Sequence, residues 1–281
     1  MRDEIPGLER FEPRWLVALR AGFDNRGPSH DLTRFVLLRL LGLVYTVAFS
    51  TALFQGPALL GSKGLTPIAS YLPRLVEHFE SRAIAVIRAP TLFWASSSDG
   101  FLMALALAGL VLSLCLLAGF ANAKSLLALW VLHLSFVNVG QLWYNFGWEI
   151  QLAETGFLAV FLVPWNQARP FPTLPAPTPV IWLYRWLALR IMLGAGLIKV
   201  RGDDCWLALT CLDYHFETQP VPGPLSAWFH HAPHAVHATG VALNHVVELV
   251  APLFALGPRR LRSRRAPPWR SSKASSSPAG T

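Results

Sequence analysis

The sequence predicts an all-α fold: a polytopic membrane helix bundle of about six transmembrane helices, followed by a disordered basic tail. Three observations predict it. Hydrophobic residues make up 53% of the 281 positions and charged residues only 14%, a combination that is uncommon in soluble domains. The apolar residues cluster into blocks long enough to cross a bilayer. The last residues, in contrast, are rich in Arg, Ser and Pro, a composition typical of disorder.

Each predicted span is an apolar block that turn signals or polar residues delimit. The block FLMALALAGLVLSLCLLAGF is the most uniformly apolar of them. The fourth block is flanked by Trp143, Trp148 and Trp165, whose indoles suit the depth of lipid headgroups. The six predicted spans are residues 32–54, 101–120, 123–146, 148–165, 180–199 and 234–257.

The spans divide the chain into three predicted regions. These are a polar N-terminal segment (1–31), the helix bundle (32–257) with polar loops at 55–99 and 200–233, and the disordered tail (258–281). Because the N-terminal segment is polar and mixed in charge, it does not have the pattern of a cleavable signal peptide. We therefore expect the first span to remain in the protein as a signal anchor.

The distribution of basic residues predicts the orientation of the bundle. The formal net charge is +8, but seven Lys and Arg residues lie after position 257, where no acid occurs. This bias describes a tail rather than a face that binds nucleic acid, and we expect no nucleic-acid partner. By the positive-inside rule, both termini are predicted to be cytoplasmic, and both polar loops to face the lumen or the exterior.

Two cysteines in the second polar loop are candidates for a disulfide. Cys205 and Cys211 are close enough in sequence to be bonded on an oxidising side of a membrane. Free thiols remain an alternative, and zinc, with His215 or the histidines at 230–237 as further ligands, is another. Structural zinc pairs are usually separated by two to four residues, not five, so we expect neither a metal nor another cofactor.

Several ionisable side chains fall inside the predicted spans, where they are costly unless paired. They indicate an interhelical polar clamp formed by Glu149, Glu154, Asn244, His245 and Glu248. For Asn244, His245 and Glu248, a proton relay or an acid–base pair in a membrane enzyme is the alternative interpretation. No nucleophile elbow, phosphate-binding glycine loop, H-E-x-x-H motif or EF-hand loop occurs in the sequence, so nothing in it marks an enzyme.

Two long motifs carry a family resemblance. FGWEIQLAETGFL (146–158) and CLDYHFETQP (211–220) resemble the lipase maturation factor family, as do the stretches 186–231 and 243–254 and the loop motif GSKGLTP. The resemblance covers about residues 32–256. It implies a multi-pass protein of the endoplasmic reticulum membrane that assists folding and assembly of secreted homodimeric lipases, including lipoprotein lipase and hepatic lipase.

The resemblance implies no catalytic residues. Family members continue past the position of Phe254 with further membrane segments and a lumenal domain, so we expect a truncated form, and its activity is left open. The aromatic side chains of loop 200–233 are candidate contacts for a client lipase: Trp206, Tyr214, Phe216, Trp228 and Phe229. The alternative function is a membrane enzyme distantly like the vitamin K-dependent carboxylase type, using His245, Glu248 or Lys199.

Overall fold

The computed structural model describes residues 30–171 and 174–256, and within these ranges every regular element is helical. The predicted all-α class is therefore confirmed. Leu92–Trp94 and Gln141–Tyr144 are 3₁₀ turns, and Val246–Val250 is a π-helical turn. The α-helices are α1 (Asp31–Leu60), α2 (Ile68–His78), α3 (Arg82–Arg88), α4 (Asp99–Ala118), α5 (Ala123–Val139), α6 (Gly147–Val160), α7 (Thr178–Gly202), α8 (Asp204–Leu207), α9 (Leu212–Thr218), α10 (Ser226–His230), α11 (His234–His245) and α12 (Leu253–Leu256).

All six predicted spans contain helix, but the helices differ in length. Among the described residues, four helical stretches are long and apolar enough to cross a membrane: α1, α4, α7 and His234–Leu256, which joins α11 to α12. The apolar helix α5 has 17 residues and α6 has 14. At 1.5 Å per residue, α6 is about 21 Å long, shorter than the roughly 30 Å hydrocarbon core. Whether α5 and α6 each cross the bilayer stays a prediction.

The predicted third span is too long because its last residues leave the helix. Gln141 has a positive φ of 49°, and the chain there continues as a 3₁₀ turn. Two side chains of this turn bond the residue that precedes Pro67: Gln141 Nε2 donates to the carbonyl of Thr66 at 3.0 Å, and Trp143 Nε1 donates to its hydroxyl at 2.9 Å. Apolar content alone does not reveal these polar contacts.

The chain divides into two compact units between Tyr184 and Arg185, which we call the N-terminal and the C-terminal unit. The predicted boundaries at 31–32 and 257–258 stay predictions. The N-terminal segment up to residue 29 and the tail from 257 onward lie outside the described residues.

The core of the N-terminal unit forms where α1, α4, α5 and α6 pack together. Helix α1 approaches α4 so closely that a Cβ on Gly42 would lie 2.7 Å from the backbone nitrogen of Leu117, so only glycine fits there. Aromatic rings fill the centre, with Phe136 in edge-to-face contact with Phe93 at 5.3 Å and with Phe49 at 6.2 Å. Such pairs contribute beyond the apolar area that they bury.

The C-terminal unit is built differently, because short helices interrupt the chain between its two long ones. The region that the sequence predicted as a polar loop, 200–233, contains the end of α7 and three short helices, α8 to α10. Asp203 begins α8 as an N-cap, and its Oδ1 accepts from the backbone N–H of Cys205 at 2.9 Å. This contact is the ordinary capping role that acids and turn residues take in loops.

Candidate functional site

Three polar residues of the C-terminal unit come together near the end of α7. Lys199 Nζ lies 2.6 Å from Glu248 Oε1 and donates to Asn244 Oδ1 at 3.1 Å. Asn244 Nδ2 also donates to Glu248 Oε2 at 3.1 Å. We call these three residues the polar cluster. Each member contacts the other two, so the charges of the lysine and the glutamate are both paired and hydrogen-bonded.

The π-helical turn positions the carboxylate of this cluster. Glu248 lies in the middle of Val246–Val250, and the N–H of Ala251 donates to the carbonyl of Val246 at 2.9 Å, an i to i+5 bond. On α7, a Cβ at Gly196 would lie 3.1 Å from the Cβ of Glu248, so the two helices approach closely there. Single π-helical turns within α-helices frequently occur at functional sites.

His245 is placed beside the polar cluster rather than within it. Its Nε2 lies 3.0 Å from the carbonyl oxygen of Trp206, and the two rings meet edge to face at 6.3 Å. Lys199 Nζ lies over the Trp206 ring, 5.1 Å from its centroid, at a distance typical of a cation–π contact. Trp206 therefore joins the polar cluster to the short helix α8.

The two cysteines flank this tryptophan and the turn that follows it. The Cα atoms of Cys205 and Cys211 are 4.8 Å apart, and the two side chains meet as a disulfide. Leu209 has a positive φ of 60° between them, so the chain reverses tightly inside the closed loop. The bond itself stays a prediction, to be tested by thiol labelling with and without reductant.

An aspartate with two histidines fixes α9 against α11. Asp213 Oδ1 lies 2.8 Å from His237 Nδ1, and both oxygens of the carboxylate lie 3.0 Å from His234 Nδ1. His237 Nε2 is 2.7 Å from the carbonyl oxygen of Phe229 on α10. Because both nitrogens of His237 face acceptors, the protonated ring satisfies them together. These hydrogen bonds, first from His234 and then from His237, lower the pKa of the Asp213 carboxyl.

The lowered pKa of Asp213 leads to a prediction about acid stability. A depressed carboxyl pKa stabilises the fold above the unfolded value of about 3.9, and that contribution is lost as the pH falls through the lower folded value. Asp213→Asn should therefore melt at a lower temperature than the unmodified chain at pH 7, with the difference closing below about pH 4. Thermal melts across this range measure it, with Asp204→Asn as the matched control. A pH-independent difference would contradict the assignment.

The five candidate client-contact aromatics fall into two groups. Trp206 is half-buried against Lys199 and His245, and Phe216 and Phe229 are half-buried and stacked on each other at 5.6 Å. Tyr214 is 44% exposed and Trp228 is 72% exposed. Sequence reasoning missed further exposed apolar side chains in this region, which are Leu207, Val221 and Leu225.

The remaining predicted clamp residues lie in the N-terminal unit. Glu149 Oε2 is 3.6 Å from Nε2 of His133, whose side chain is buried. The same His133 nitrogen is 3.3 Å from the backbone carbonyl oxygen of Glu149. Glu154 lies on α6 five residues further on. The predicted five-residue clamp is thus divided between the two units, with Glu149 and Glu154 in one and Asn244, His245 and Glu248 in the other.

Sequence reasoning missed His133. It occurs alone in an apolar helix, and no spacing within α5 signals its partner on α6. In residues 30–171 and 174–256, no three His, Cys, Asp or Glu side chains come together in a way that could hold a metal ion.

The fold and these buried polar contacts define a multi-pass helical membrane protein. A family model described as the lipase maturation factor transmembrane domain matches residues 32–267. The chain belongs to the lipase maturation factor family, and the resemblance predicted from its sequence is confirmed. No solved structure shows a significant match to the chain.

The curated relatives fall into two groups. Lipase maturation factor 1 of Bos taurus is 50% identical over 267 residues, which cover 91% of this chain and 46% of the relative. Lipase maturation factor 1 of Homo sapiens is 46% identical over 236 residues, covering 82% and 42%. Lipase maturation factor 2 of Homo sapiens is 34% identical over 250 residues, covering 82% and 35%. The chain thus spans less than half the length of these relatives.

Proposed function

We propose that this chain is a non-catalytic membrane factor that assists the folding, assembly and maturation of secreted homodimeric lipases such as lipoprotein lipase and hepatic lipase. Membership of the lipase maturation factor family supports the class of client. One structural observation supports a direct contact with the client: residues 203–231 are held in place by several internal contacts and expose large apolar side chains. We call these residues the braced segment.

The bracing comes from three sets of contacts along the braced segment. The polar cluster and Trp206 hold its start, and the Cys205–Cys211 pair closes the loop that follows. The Asp213 carboxylate then ties α9 to α11. A surface that is already ordered loses little conformational entropy when it binds a partner, so exposed side chains on it can hold a client efficiently.

The exposed side chains give the proposal its contact surface. Tyr214, Val221, Leu225 and Trp228 present apolar surface outside the core of the C-terminal unit. Exposed apolar groups of this kind mark sites for proteins or membranes. A secreted protein that has not completed its fold exposes apolar surface, which side chains of this kind can cover. Tyrosine and tryptophan are also the residues that contribute most at interfaces.

We further propose that the protein resides in the endoplasmic reticulum membrane with both termini in the cytoplasm. The oxidising lumen would then contain the Cys205–Cys211 pair, as disulfides require. It would also contain newly made secreted lipases, which places the braced segment on the same side as its clients.

Deletion of residues 203–231 tests the proposal. The unmodified chain, co-expressed with lipoprotein lipase, is expected to co-purify with the lipase, and the deletion variant is expected to lose that association. Membrane insertion of both forms is verified by alkaline extraction. Association that persists at the same level after the deletion would refute the proposed role of the braced segment.

A second candidate, a membrane enzyme, is favoured by one observation. Within residues 30–171 and 174–256, His245 Nδ1 is buried and has no hydrogen-bond partner, so the atom is free to form a hydrogen bond with a substrate. Against this candidate, the amine of Lys199 is already engaged by a carboxylate and an amide. If the enzyme reading holds, His245→Gln should abolish lipase maturation at an unchanged amount of folded protein. Retained function in this variant excludes it.

A further inference from the structure

A cavity of about 600 Å³ lies in the N-terminal unit, along α1 and against the 3₁₀ turn Gln141–Tyr144 and the first turns of α6. One wall is apolar and comes from a single face of α1. Its Leu43, Val44 and Val47 side chains are each about half exposed, at 48%, 50% and 59%. In a membrane-spanning helix such side chains face lipid, so the cavity is reached sideways from the bilayer.

The two ends of the cavity differ in chemistry. Helices α1 and α6 run antiparallel, so the polar start of α6 lies beside the end of α1. Trp143 bonds Thr66, just beyond the end of α1, whereas Gly156 on α6 lies against the hydroxyl of Tyr45 near the middle of α1. Polar and aromatic side chains therefore line the cavity near Leu60, and aliphatic side chains line its other end. The polar-end lining is Gln55, Trp143, Tyr144, Trp148 and Glu149.

Glu149 supplies the charge at that end. Its side chain is 15% exposed, and its Oε2 lies 3.6 Å from Nε2 of His133. Trp148 itself is 61% exposed and stacks on Phe146 at 4.5 Å. A carboxylate among indole and phenol rings is the arrangement that recognises quaternary ammonium groups, through charge and cation–π attraction.

The length of the apolar wall fits an acyl chain. From Leu43 to Gln55, where the polar end begins, α1 rises about 18 Å at 1.5 Å per residue. That is more than the roughly 15 Å of hydrocarbon in one leaflet, half of the 30 Å core. The wall can therefore accommodate one whole chain of a bilayer lipid whose headgroup lies at the aromatic end.

We propose that this cavity is a binding site for a choline phospholipid of the surrounding bilayer. The trimethylammonium group contacts Glu149, Trp148 and Tyr144, the exposed amide of Gln55 donates to the phosphate, and one acyl chain lies along α1. The site selects against phosphatidylglycerol, because its headgroup carries no cation to offset the Glu149 carboxylate.

Lipid competition tests the site. The purified full chain is reconstituted in vesicles with equimolar phosphatidylcholine and phosphatidylglycerol, and the lipids that remain after detergent extraction are measured by mass spectrometry. We expect about tenfold enrichment of phosphatidylcholine, the ratio that roughly 1.4 kcal/mol of headgroup recognition gives. Glu149→Gln should remove most of the enrichment, whereas Glu77→Gln, on the exposed surface of α2, should leave it unchanged.

A second variant keeps the proposal testable if Glu149→Gln fails to fold. Ala48→Trp fills the apolar end and should block labelling of residues 43–60 by phosphatidylcholine with a photoreactive acyl chain. Leu107→Trp, at an exposed apolar position of α4 outside the cavity, should not block it. The proposal is overturned if the retained lipid has the same composition as the vesicle. It is also overturned if α1 is labelled no more strongly than α4, because both results indicate contact with bulk lipid only.

Discussion

Replacing Lys199 by Met is expected to lower the free energy of unfolding of the protein by about 3 kcal/mol, the scale for removing one partner of a buried ion pair. The side chain of Glu248 is only 13% exposed, and Lys199 Nζ, 2.6 Å away, is its basic partner in the polar cluster. Without the lysine, the carboxylate keeps Asn244 but loses its counter-charge in an environment of low dielectric. Thermal melts in detergent measure the loss.

The double variant Lys199→Met with Glu248→Leu isolates the cause. Removing both charges leaves no unpaired charge, so its stability should exceed that of the single variant and fall short of the unmodified chain by only about 1 kcal/mol, for the Asn244 amide that loses both partners. Arg201→Met is the matched control, because Arg201 is an exposed basic residue of the same helix. A single Lys199 variant as stable as this control, or a double variant no better than the single, would show that the pair does not stabilise the fold.

Replacing Trp228 by Ser is expected to reduce co-purification with lipoprotein lipase by about thirtyfold, the ratio that a 2 kcal/mol interface residue gives. Because Trp228 is 72% exposed, the substitution should leave the melting temperature of the chain nearly unchanged. Val221→Ser, at an 87% exposed position, should act in the same direction with a smaller effect.

Trp165→Ser controls for the loss of an exposed indole in general, since Trp165 is 52% exposed but lies in the N-terminal unit. This control should retain the lipase. If Trp228→Ser and Trp165→Ser bind the lipase equally well, the braced segment is not the contact surface, whatever the deletion shows.

The sequence predicted the helices well and their ends poorly. Long apolar blocks indicate spans because a bilayer admits only helices whose backbone groups are internally bonded. Where a helix ends depends on single contacts instead, such as the bonds from Gln141 and Trp143 to Thr66 that replace the last turns of the predicted third span. Those contacts join residues 75 and 77 positions apart, and no local pattern encodes them.

The polar cluster was half predictable. The spacing of Asn244 and Glu248 predicts that they share one helix face, and a lysine inside a membrane span is expected to be paired. The sequence does not identify the partner of Lys199, because Lys199 and Glu248 are 49 residues apart. Nor was the π-helical turn, since the sequence VVELV carries no signal that separates it from ordinary helix.

The braced segment shows the same limit. Acids in such a segment are typical of caps and turns. That role describes Asp203, but Asp213 instead binds two histidines that come 21 and 24 residues later. The aromatics of the segment were treated as one set of contacts, yet packing turns Phe216 toward Phe229 and leaves Trp228 outside. The buried face of a short helix depends on the elements that pack against it, and a single sequence does not identify those elements.

Site-specific photocrosslinking from position 228 tests most directly whether the braced segment holds a lipase. A photoreactive amino acid replaces Trp228 in one form of the chain and Leu107 in another, and both are expressed with lipoprotein lipase. A crosslink to the lipase is expected from position 228 and none from position 107. Equal crosslinking from both positions, or none from position 228 while the two proteins co-purify, would contradict the proposed role of the braced segment.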